Sequence, residues 1–548
     1  MSSHSENSPP DVPPLIAGLL RREAYPHPAA APRLIETHIS WVILAGEFGY
    51  KIKKPLAFGF LDFSSLDKRH HFCTEEIRLN SRLAPEIYLA VVAITGTPAH
   101  PVIEGAGPAI EWAVKMRAFP ADATLDREAE ISREQIDAIA EQVAAFHADI
   151  AIAPAESEFG TPEAILRPVR ENFALLRSML AGRVDPPCQP LLDALQDWSQ
   201  KEADRLKGHF AARKTAGYIR ECHGDLHLGN IAWVERPTLP LMPSDALTPP
   251  PQEMAMAPLI FDALEFNPAL RHIDVISEIA FLSMDLLHRG RPDLAWRLLD
   301  RYLEQTGDID GMKGLTYYQV YRAMVRAKVA AIRASEHPDH AAADFSECTT
   351  YLRLAERMAH GRRPALLLMH GVSGSGKTWL SQHLLEQLGA FRLRSDVTRK
   401  RLFGLSPLQA SATIPGGIYT SEASQRTLAT LIEQARTLLV AGHMTIVDAT
   451  FIHQAWRAPF LALADELGID WRIISLEAPA EVLQARINRR RQNGADASEA
   501  SLAVLASQLA NVEPFDPSEQ AHVLRFTNGW TTAEVLARVR AMNGAATA

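Results

Sequence analysis

The chain has 548 residues, of which 47% are hydrophobic and 22% are charged. One hydrophobic core rarely organises a chain of this length, so we expect at least two domains, and the composition excludes both wholesale disorder and an integral membrane protein. The formal net charge of −9 disfavours a surface that follows nucleic-acid phosphates and agrees better with small anionic ligands. The four cysteines are too widely spaced for a metal site and predict ordinary reduced thiols.

The beginning of the chain is polar and rich in proline. Residues 1–14 lack the charged and then apolar pattern of a signal peptide. No apolar run approaches the roughly 18 residues that a bilayer span needs. We therefore expect a cytoplasmic protein that does not enter a membrane, with residues 1–33 poorly ordered.

Strand-like and helical patterns alternate in the next part of the chain. Strand-like segments lie at residues 41–53, 87–94 and 112–116, and an amphipathic helical pattern lies at residues 68–83. From about residue 133 the periodicity is mostly helical, but two short apolar segments interrupt it, at residues 231–234 and 259–261. They flank a proline-rich insert, residues 236–258, for which we predict a mobile loop without regular structure.

A second pattern follows a helix-breaking Arg362-Arg363-Pro364 sequence. Apolar strand candidates alternate with helical segments, which favours a parallel sheet covered by helices. The candidates are residues 365–369, 391–393, 445–447, 471–476 and 523–526. We therefore predict one domain over residues 34–360, containing the insert, and a second over residues 364–548.

The first domain contains the sequence His-Gly-Asp-Leu-His-Leu-Gly-Asn at residues 223–230. Its Asp225 and Asn230 have the spacing of the aspartate and asparagine in a kinase catalytic loop, and Asp262 follows the next apolar segment. Phosphoryl transfer needs a base that faces the acceptor and two groups that hold magnesium, so we assign the base to Asp225 and the metal ligands to Asn230 and Asp262. The alternative is a turn whose side chains bond their own backbone.

Two lysines alternate along the strand that ends near residue 53. The period of a strand places Lys51 and Lys53 on one face, and one of them should meet the nucleotide phosphates. The pattern leaves open which one it is, since either could instead be a solvated edge residue. The carboxylate that holds this lysine should come from the following helix, where we choose Glu76 over its neighbour Glu75.

The second domain begins with a glycine-rich loop between a strand and a helix. Glycines allow a loop to wrap with its N–H groups pointing inward, and the helix adds its positive N-terminal dipole. Lys377 is expected to reach the β- and γ-phosphates and Thr378 to ligate magnesium. The residues predicted to bind the phosphates are Gly371, Ser373, Gly374, Ser375, Gly376, Lys377 and Thr378.

Two further strands of this domain end in a carboxylate, and one helix carries a run of arginines. Asp396 should face the ligand crevice and accept a proton from the acceptor hydroxyl, although Asp396 or Ser395 could equally cap a helix. Asp448 is predicted to hold the magnesium shell or to orient water, with a cap again the alternative. The arginines, between residues 486 and 491, precede a polar loop and could close over the phosphoryl group or form a solvated basic face.

From residue 364 onward these motifs resemble the P-loop kinases related to polynucleotide kinase, gluconate kinase and the zeta-type toxins. The resemblance rests on GVSGSGKT, SDVTRK, VDATF and the arginine run followed by DASEA. It implies that Asp396 and Arg399 handle the acceptor. It also implies that one arginine among Arg486, Arg489 and Arg490 belongs to a lid. This group shares a reaction but no common acceptor.

Residues 34–360 resemble the aminoglycoside phosphotransferase and choline kinase branch of the kinase-like fold, with HGDLHLGN as the catalytic loop. The resemblance implies the roles given above for Asp225, Asn230 and Asp262, and a bracing role for His223. No glycine-rich phosphate loop precedes Lys51. The whole arrangement resembles the bacterial proteins called bifunctional aminoglycoside phosphotransferase/ATP-binding proteins, on the segments YKIKKPLAFGFLDFSSLDKR and FDALEFNPALRHIDVISEIAFLSMDL.

The sequence thus predicts a bilobal α+β kinase-like domain followed by an α/β P-loop domain with a parallel sheet. We expect an ATP- and Mg²⁺-dependent phosphotransferase with two nucleotide sites and small hydroxylated acceptors. Two alternatives stay open. The first domain could bind nucleotide only to regulate the second, as its lack of a glycine loop would allow. The second domain could phosphorylate nucleic-acid 5′-hydroxyls, which the acidic net charge disfavours.

Overall fold

A computed structural model describes residues 12–58, 61–120, 122–182, 188–237, 254–336, 338–361, 363–414, 417–493, 497–527 and 529–543. The chain divides into two compact units. One unit comprises residues 1–131, 150–154 and 219–273, and the other comprises residues 132–149, 155–218 and 274–548. The second unit therefore groups helices from the first predicted domain with everything that follows residue 361. A local break in helical pattern, such as that at Pro364, marks where an element ends but says nothing about which elements pack together.

The strands are named in chain order over the described residues. They are β1 Arg33–Glu36, β2 Ser40–Ala45, β3 Phe48–Lys53, β4 Ala57–Phe58, β5 Leu61–Asp62, β6 Tyr88–Thr97, β7 His100–Ile103, β8 Glu111–Arg117, β9 Ile219–Glu221, β10 Ile231–Pro237, β11 Met254–Ile260, β12 His272–Asp274, β13 Ala365–His370, β14 Ala390–Arg394, β15 Met444–Asp448, β16 Asp470–Leu476 and β17 Val523–Phe526.

The α-helices are named in the same way. They are α1 Pro14–Leu19, α2 Leu66–Asn80, α3 Arg133–Asp149, α4 Pro162–Leu180, α5 Gln189–Thr215, α6 Pro268–Arg271, α7 Val275–His288, α8 Pro292–Thr306, α9 Leu315–Glu336, α10 Ala341–His360, α11 Lys377–Leu388, α12 Ser395–Leu402, α13 Ser421–Val440, α14 Gln454–Leu467, α15 Ala480–Asn493, α16 Leu502–Ala510, α17 Pro517–Gln520 and α18 Thr532–Asn543. Among the helices described, none combines the length and the apolar composition needed to span a bilayer.

The first unit contains a six-stranded antiparallel sheet in the order β1-β2-β3-β8-β6-β7. Along β3 the side chains alternate, so that Tyr50 and Ile52 are fully buried in a core with Ile43 of β2. The two lysines of β3 consequently share the opposite face. Helix α2 begins at Ser65, whose hydroxyl accepts from the Lys68 N–H as an N-cap.

The structure corrects the expectation that residues 1–33 are poorly ordered. Residues 14–19 form α1, and the side chains of Ile16 and Leu19 are fully buried in the core beneath the sheet. Burial of these two branched apolar side chains contributes roughly 3–6 kcal/mol against the conformational entropy lost on ordering the segment, which its proline-rich composition did not reveal. Residues 1–11 lie outside the described residues.

The predicted proline-rich insert is also narrower than its sequence suggested. Strands β10 and β11 pair antiparallel from Ile231 opposite Ile260 to Pro237 opposite Met254, so residues 236–237 and 254–258 belong to a ladder. Proline is compatible with the edge of a two-stranded ladder because a missing N–H there removes at most one bond. The rest of the insert, residues 238–253, lies outside the described residues.

The second unit contains a five-stranded parallel sheet in the order β14-β15-β13-β16-β17, as the alternating pattern predicted. Its central strand β13 is buried along its whole length. In such a sheet the loops after the carboxyl ends of the strands gather at one edge, and ligands bind there at the point where the strand order reverses. Strands β13 and β15 flank that point, and both lead directly into the motifs singled out from the sequence.

Candidate functional site

The loop after β13 joins this strand to α11, the context that a phosphate-binding loop requires. Gly371, Gly374 and Gly376 all have positive φ angles, of 139°, 83° and 101°. A Cβ at Gly371 would lie 2.6 Å from the Leu476 carbonyl oxygen, so only glycine fits this position without a backbone shift. The glycines therefore allow the loop to wrap tightly over the N-terminus of α11.

Lys377 and Thr378 open helix α11 at the end of this loop. The Lys377 ammonium donates to the carbonyl oxygen of Val372 at 3.0 Å and is mostly buried. Ser381, one turn further along the helix, donates from its hydroxyl to Asp448 Oδ2 at 3.1 Å. Asp448 ends β15 and is buried, so the strand-end carboxylate lies beside the first turn of α11.

Asp396 lies in the first turn of α12, directly after β14. The N-cap position is Arg394, and no side chain caps the described helix, so neither Ser395 nor Asp396 acts as its cap. Asp396 Oδ1 accepts from Arg399 Nη1 at 3.5 Å. The guanidinium of Arg399 is buried, lies 4.9 Å from the Tyr419 ring centre, and has no hydrogen-bond partner for Nε among the described residues.

Two of the arginines on α15 line the cavity beside the glycine-rich loop, and one of them contacts the loop itself. Arg486 Nη1 donates to the carbonyl oxygens of Gly374 and Ser375 at 3.2 and 3.3 Å. Arg490 lies one turn later and donates to the Ala500 carbonyl oxygen at 3.4 Å. Arg489 lies on the exposed side of the helix. The polar loop predicted after this run lies partly outside the described residues, at positions 494–496.

One cavity of about 590 Å³ brings these side chains together. Its lining includes Lys377, Thr378, Asp396, Arg399, Asp448, Arg486 and Arg490. A volume of this size fits the cleft of a nucleotide-sized ligand. Cations and carboxylates thus converge at the carboxyl edge of the parallel sheet, where sequence reasoning expected them.

Some lining residues were not singled out from the sequence. Gln508 of α16 accepts from the Ser373 N–H at 2.7 Å, and Tyr419, Trp456 and Glu499 also line the cavity. Ser381, which contacts Asp448 without lining the cavity, could have been found from the sequence, because it follows Thr378 by three residues on the same helix face. The others come from segments whose approach depends on the tertiary fold.

A buried histidine lies under the glycine-rich loop. His370 ends β13, and its Nδ1 lies 3.0 Å from the Ser475 hydroxyl. Burial, together with the nearby charges of Arg457, Lys377 and Arg525, lowers the pKa of His370 to about 3. The imidazole is therefore neutral at physiological pH and adds no charge beneath the loop.

The structure distinguishes the two lysines of the first unit. Lys53 is buried, and its ammonium contacts Glu76 Oε2 at 2.7 Å and also Glu265. Lys51 contacts Glu76 Oε1 at 2.8 Å and Asp262 Oδ1 at 2.5 Å, and its side chain retains 11% exposure. Lys51 thus lies beside the predicted metal ligand, whereas Lys53 is enclosed by carboxylates. Glu75 points elsewhere and pairs with Arg78.

The charges of this cluster depend on one another. Burial alone would raise the pKa of Glu76, but Lys51 and Lys53 outweigh it and lower that pKa to about 2. Burial lowers the pKa of Lys51, yet the neighbouring carboxylates, Asp262 foremost, raise it well above its usual value. Glu76 and Lys51 therefore stay ionised at neutral pH as a buried pair.

Asp225 and Asn230 lie side by side, as their spacing predicted. Asn230 Nδ2 donates to the Asp225 carbonyl oxygen at 2.9 Å and to its Oδ2 at 3.3 Å. His227 Nε2 lies 3.5 Å from the same carboxylate oxygen. The alternative of a self-bonded turn accounts for part of this geometry, but it leaves the nearby Asp262 unexplained.

Pairing of β10 with β11 brings Asp262 to the same place. Ile231 lies opposite Ile260, so the residue before β10 and the residues after β11 are neighbours, and the Phe261 N–H donates to the Asn230 carbonyl oxygen. His223 Nε2 donates to the Phe261 carbonyl oxygen at 2.8 Å, which matches the expected bracing role. Asp262 itself has a φ of 64°, a strained backbone for a residue other than glycine.

Three residues that support this site were not singled out from the sequence. Tyr88 accepts from the Asp262 N–H at 3.0 Å, and Asn80 Oδ1 accepts from the Ala263 N–H at 2.8 Å. Glu265 pairs with Lys53, and burial raises its pKa. The only feature of the sequence that could have pointed to Glu265 is its position three residues after Asp262.

The donor sets of both units fit Mg²⁺ and a phosphate chain. Magnesium prefers oxygen ligands, and each unit places a carboxylate beside a second oxygen donor: Asp448 beside Thr378, and Asp262 near Asn230. The buried Ser375 hydroxyl in the glycine-rich loop has no hydrogen-bond partner among the described residues. An unsatisfied donor in a loop with positive-φ glycines suits an anionic ligand.

Comparisons with known proteins match each of the two candidate sites to a separate family. A family model described as a phosphotransferase enzyme family (APH) matches residues 75–238, and one described as an AAA domain (AAA_33) matches residues 366–515. Uncharacterized proteins of Mycobacterium tuberculosis H37Rv and Mycobacterium bovis are 30% identical over 485 residues, which cover 87% of this chain and 90% of each relative. The matches and the parallel sheet confirm the two-domain fold class predicted from the sequence.

Partial similarity to solved structures was also found. A gluconokinase from Sinorhizobium meliloti is 20% identical over 34% of this chain and 99% of its own, with a TM-score of 0.24. An ethanolamine kinase from Plasmodium vivax is 10% identical over 59% of this chain and 81% of its own, with a TM-score of 0.33.

Proposed function

The chain belongs to a family that joins an APH-type phosphotransferase domain to a P-loop kinase domain, and we propose that both domains transfer the γ-phosphoryl group of ATP to small hydroxylated acceptors. The chain is an ATP-dependent kinase. The observation that carries the proposal for the P-loop domain is the single cavity that gathers Lys377, Asp396 and Asp448. For the APH-type domain it is the contact of Asn230 with Asp225, beside the ion pair of Lys51 with Asp262.

In the P-loop domain the lysine and arginines neutralise the phosphate chain. Lys377 binds the β- and γ-phosphates, and Arg486 closes from α15 over the charge that spreads in the transition state. Asp396 accepts the proton of the acceptor hydroxyl as its oxygen bonds to the γ-phosphorus and ADP leaves. Thr378 and Asp448 would hold Mg²⁺, which neutralises the charge that develops on the phosphate oxygens.

In the APH-type domain the same reaction uses different groups. Asp225 accepts the proton of the acceptor hydroxyl, while Lys51, held by Glu76, binds the phosphates. Asn230 and Asp262 would hold Mg²⁺ there. Lys51 contacts Asp262 directly, so the lysine would exchange this ion pair for the phosphates and the aspartate would exchange it for the metal.

Replacing each base by its amide separates the two activities. Asp225→Asn and Asp396→Asn should each remove one set of phosphorylated products, with rates lowered roughly 10²- to 10⁴-fold, because an amide cannot accept the proton. The measurement is transfer of labelled γ-phosphate from ATP to compounds in a metabolite extract. Asp197→Asn is the matched control, since its side chain is 80% exposed on α5.

Two outcomes would count against the proposal. If Asp225→Asn removes no product while the first domain still binds ATP, that domain is a nucleotide sensor and only the P-loop domain is catalytic. If both variants retain every product, neither aspartate is the base. A product on a 5′-hydroxyl oligonucleotide that is lost only in Asp396→Asn would assign the P-loop domain a nucleic-acid acceptor.

A further inference from the structure

Helix α8 comes from the segment between the two family matches, yet it packs directly on the P-loop kinase elements. It lies in the same compact unit as α11 and β14. Trp296 of α8 contacts Phe391 of β14 edge to face, with ring centres 5.3 Å apart. A Cβ on Gly389 would lie only 2.9 Å from Trp296 Nε1, so the turn between α11 and β14 packs tightly against α8.

Two carboxylates of α8 are buried against an arginine of β14. Arg392 makes a two-pronged pair with Asp300, through Nη2 at 2.7 Å and Nε at 3.3 Å, and its Nη2 also contacts Glu304 at 3.2 Å. All three residues are at most 7% exposed. Buried ion pairs of this kind fix geometry, because removing one partner leaves an uncompensated charge.

The same guanidinium reaches the P-loop helix from its other side. Arg392 Nη1 donates to the Thr378 carbonyl oxygen at 3.3 Å and lies 3.5 Å from the Ser381 hydroxyl. Ser381 in turn donates to Asp448 Oδ2 at 3.1 Å. The contacts therefore run from Asp300 through Arg392 to Thr378 and Asp448, the two groups assigned to Mg²⁺.

A second contact runs from Glu304 to the acceptor side of the same cavity. Glu304 Oε1 accepts from Arg394 Nη1 at 3.0 Å, and Arg394 lines the cavity two residues before Asp396. Although burial raises the pKa of Glu304, Arg392 and Arg394 outweigh it and lower that pKa to about 2, so this carboxylate is ionised at neutral pH.

We propose that Asp300 and Glu304 are positioning residues for phosphoryl transfer in the P-loop domain: through Arg392 they hold Thr378 and Asp448 in the geometry that Mg²⁺ requires. Helix α8 is thus part of the working P-loop kinase, although it precedes its glycine-rich loop by some 70 residues. The inference rests on the proposed function of that domain. Residues that hydrogen-bond to the ligands of a metal orient those ligands, even though they do not touch the metal.

The test compares nucleotide binding with and without metal. In a Lys51→Met background, which silences the first site, the dissociation constant of ADP is measured by calorimetry with Mg²⁺ and with EDTA. Asp300→Asn should weaken binding of Mg·ADP by roughly 10- to 100-fold, because the groups that would hold the metal lose their support, and should change binding of metal-free ADP by less than about 2-fold. The same variant should lower kcat for the P-loop products.

The matched control breaks a different ion pair of the same helix. Arg297 contacts Glu386 at 2.9 Å, near the far end of α11, and does not touch Arg392. Arg297→Gln should therefore leave the ratio of the two dissociation constants unchanged. If Asp300→Asn does not stay folded, Glu304→Gln carries the same comparison, since glutamine keeps the shape of the side chain.

The results distinguish this inference from the function on which it rests. If the Lys51→Met parent binds neither form of ADP, the proposed function of the P-loop domain fails. If the parent binds Mg·ADP but Asp300→Asn weakens both forms equally, or behaves like Arg297→Gln, the positioning role is wrong.

Discussion

Lys377→Ala is expected to abolish nucleotide binding in the P-loop domain and to lower phosphoryl transfer there by at least about 100-fold. The ammonium is the one cation that opens α11, and charge-assisted bonds to phosphate in a partly buried site are among the strongest that a side chain makes. Labelled ATP with the wild-type acceptors measures the loss. The melting temperature is measured alongside, because the ammonium also donates to the Val372 carbonyl oxygen and the loss of binding must be separated from a loss of fold.

A surface lysine of the same unit provides the control. Lys313 is part-exposed and pairs with Asp310 three residues earlier, so Lys313→Ala should leave turnover unchanged. Unaltered turnover in Lys377→Ala, under conditions where Asp396→Asn is inactive, would show that the loop does not bind the transferred phosphate.

Lys51→Met and Lys53→Met should give opposite defects although the two lysines lie two residues apart. Lys53→Met leaves Glu76 and Glu265 buried with one lysine between them, and unpairing a buried charge costs about 3–5 kcal/mol. Lys51→Met should lower the free energy of unfolding by less, because Glu76 still pairs with Lys53 and the Asp262 side chain is 45% exposed. It should instead weaken ATP binding in the APH-type domain by at least about 100-fold, so that this site is no longer occupied at the concentrations used for the other variants.

These defects are measured in a Lys377→Ala background, so that only the APH-type domain binds nucleotide. Chemical denaturation gives the free energy of unfolding, and calorimetry gives the ATP affinity. The assignment is reversed if Lys51→Met is the less stable variant and Lys53→Met the one that loses ATP.

The loops that carry the site were predictable because their signals are local. Positive-φ glycines and a following Lys377 specify a strand, a tight loop and a helix within a few residues. The positions of the strand-end carboxylates were also predictable from local sequence. Asp396 and Asp448 each follow an apolar run, and a parallel sheet places the residues after its strands at one edge. Asp225 and Asn230 followed from their spacing alone.

What the sequence left open depends on residues that are distant along the chain. The period of β3 puts Lys51 and Lys53 on one face, but Glu265, more than 200 residues later, decides which lysine is enclosed. The sequence shows Arg392 only as a charged residue near a strand end. Its buried pair with Asp300 could not be predicted, because the two residues are distant along the chain. Amphipathic burial of α1 was concealed by its proline-rich surroundings.

The number of nucleotides bound per chain tests the central claim most directly. Equilibrium dialysis with Mg²⁺ and a non-hydrolysable ATP analogue should give two per wild-type chain, one in Lys377→Ala, one in Lys51→Met and none in the double variant. A wild-type chain that binds one nucleotide or none, or a double variant that still binds, would contradict the account of two separate phosphoryl-transfer sites.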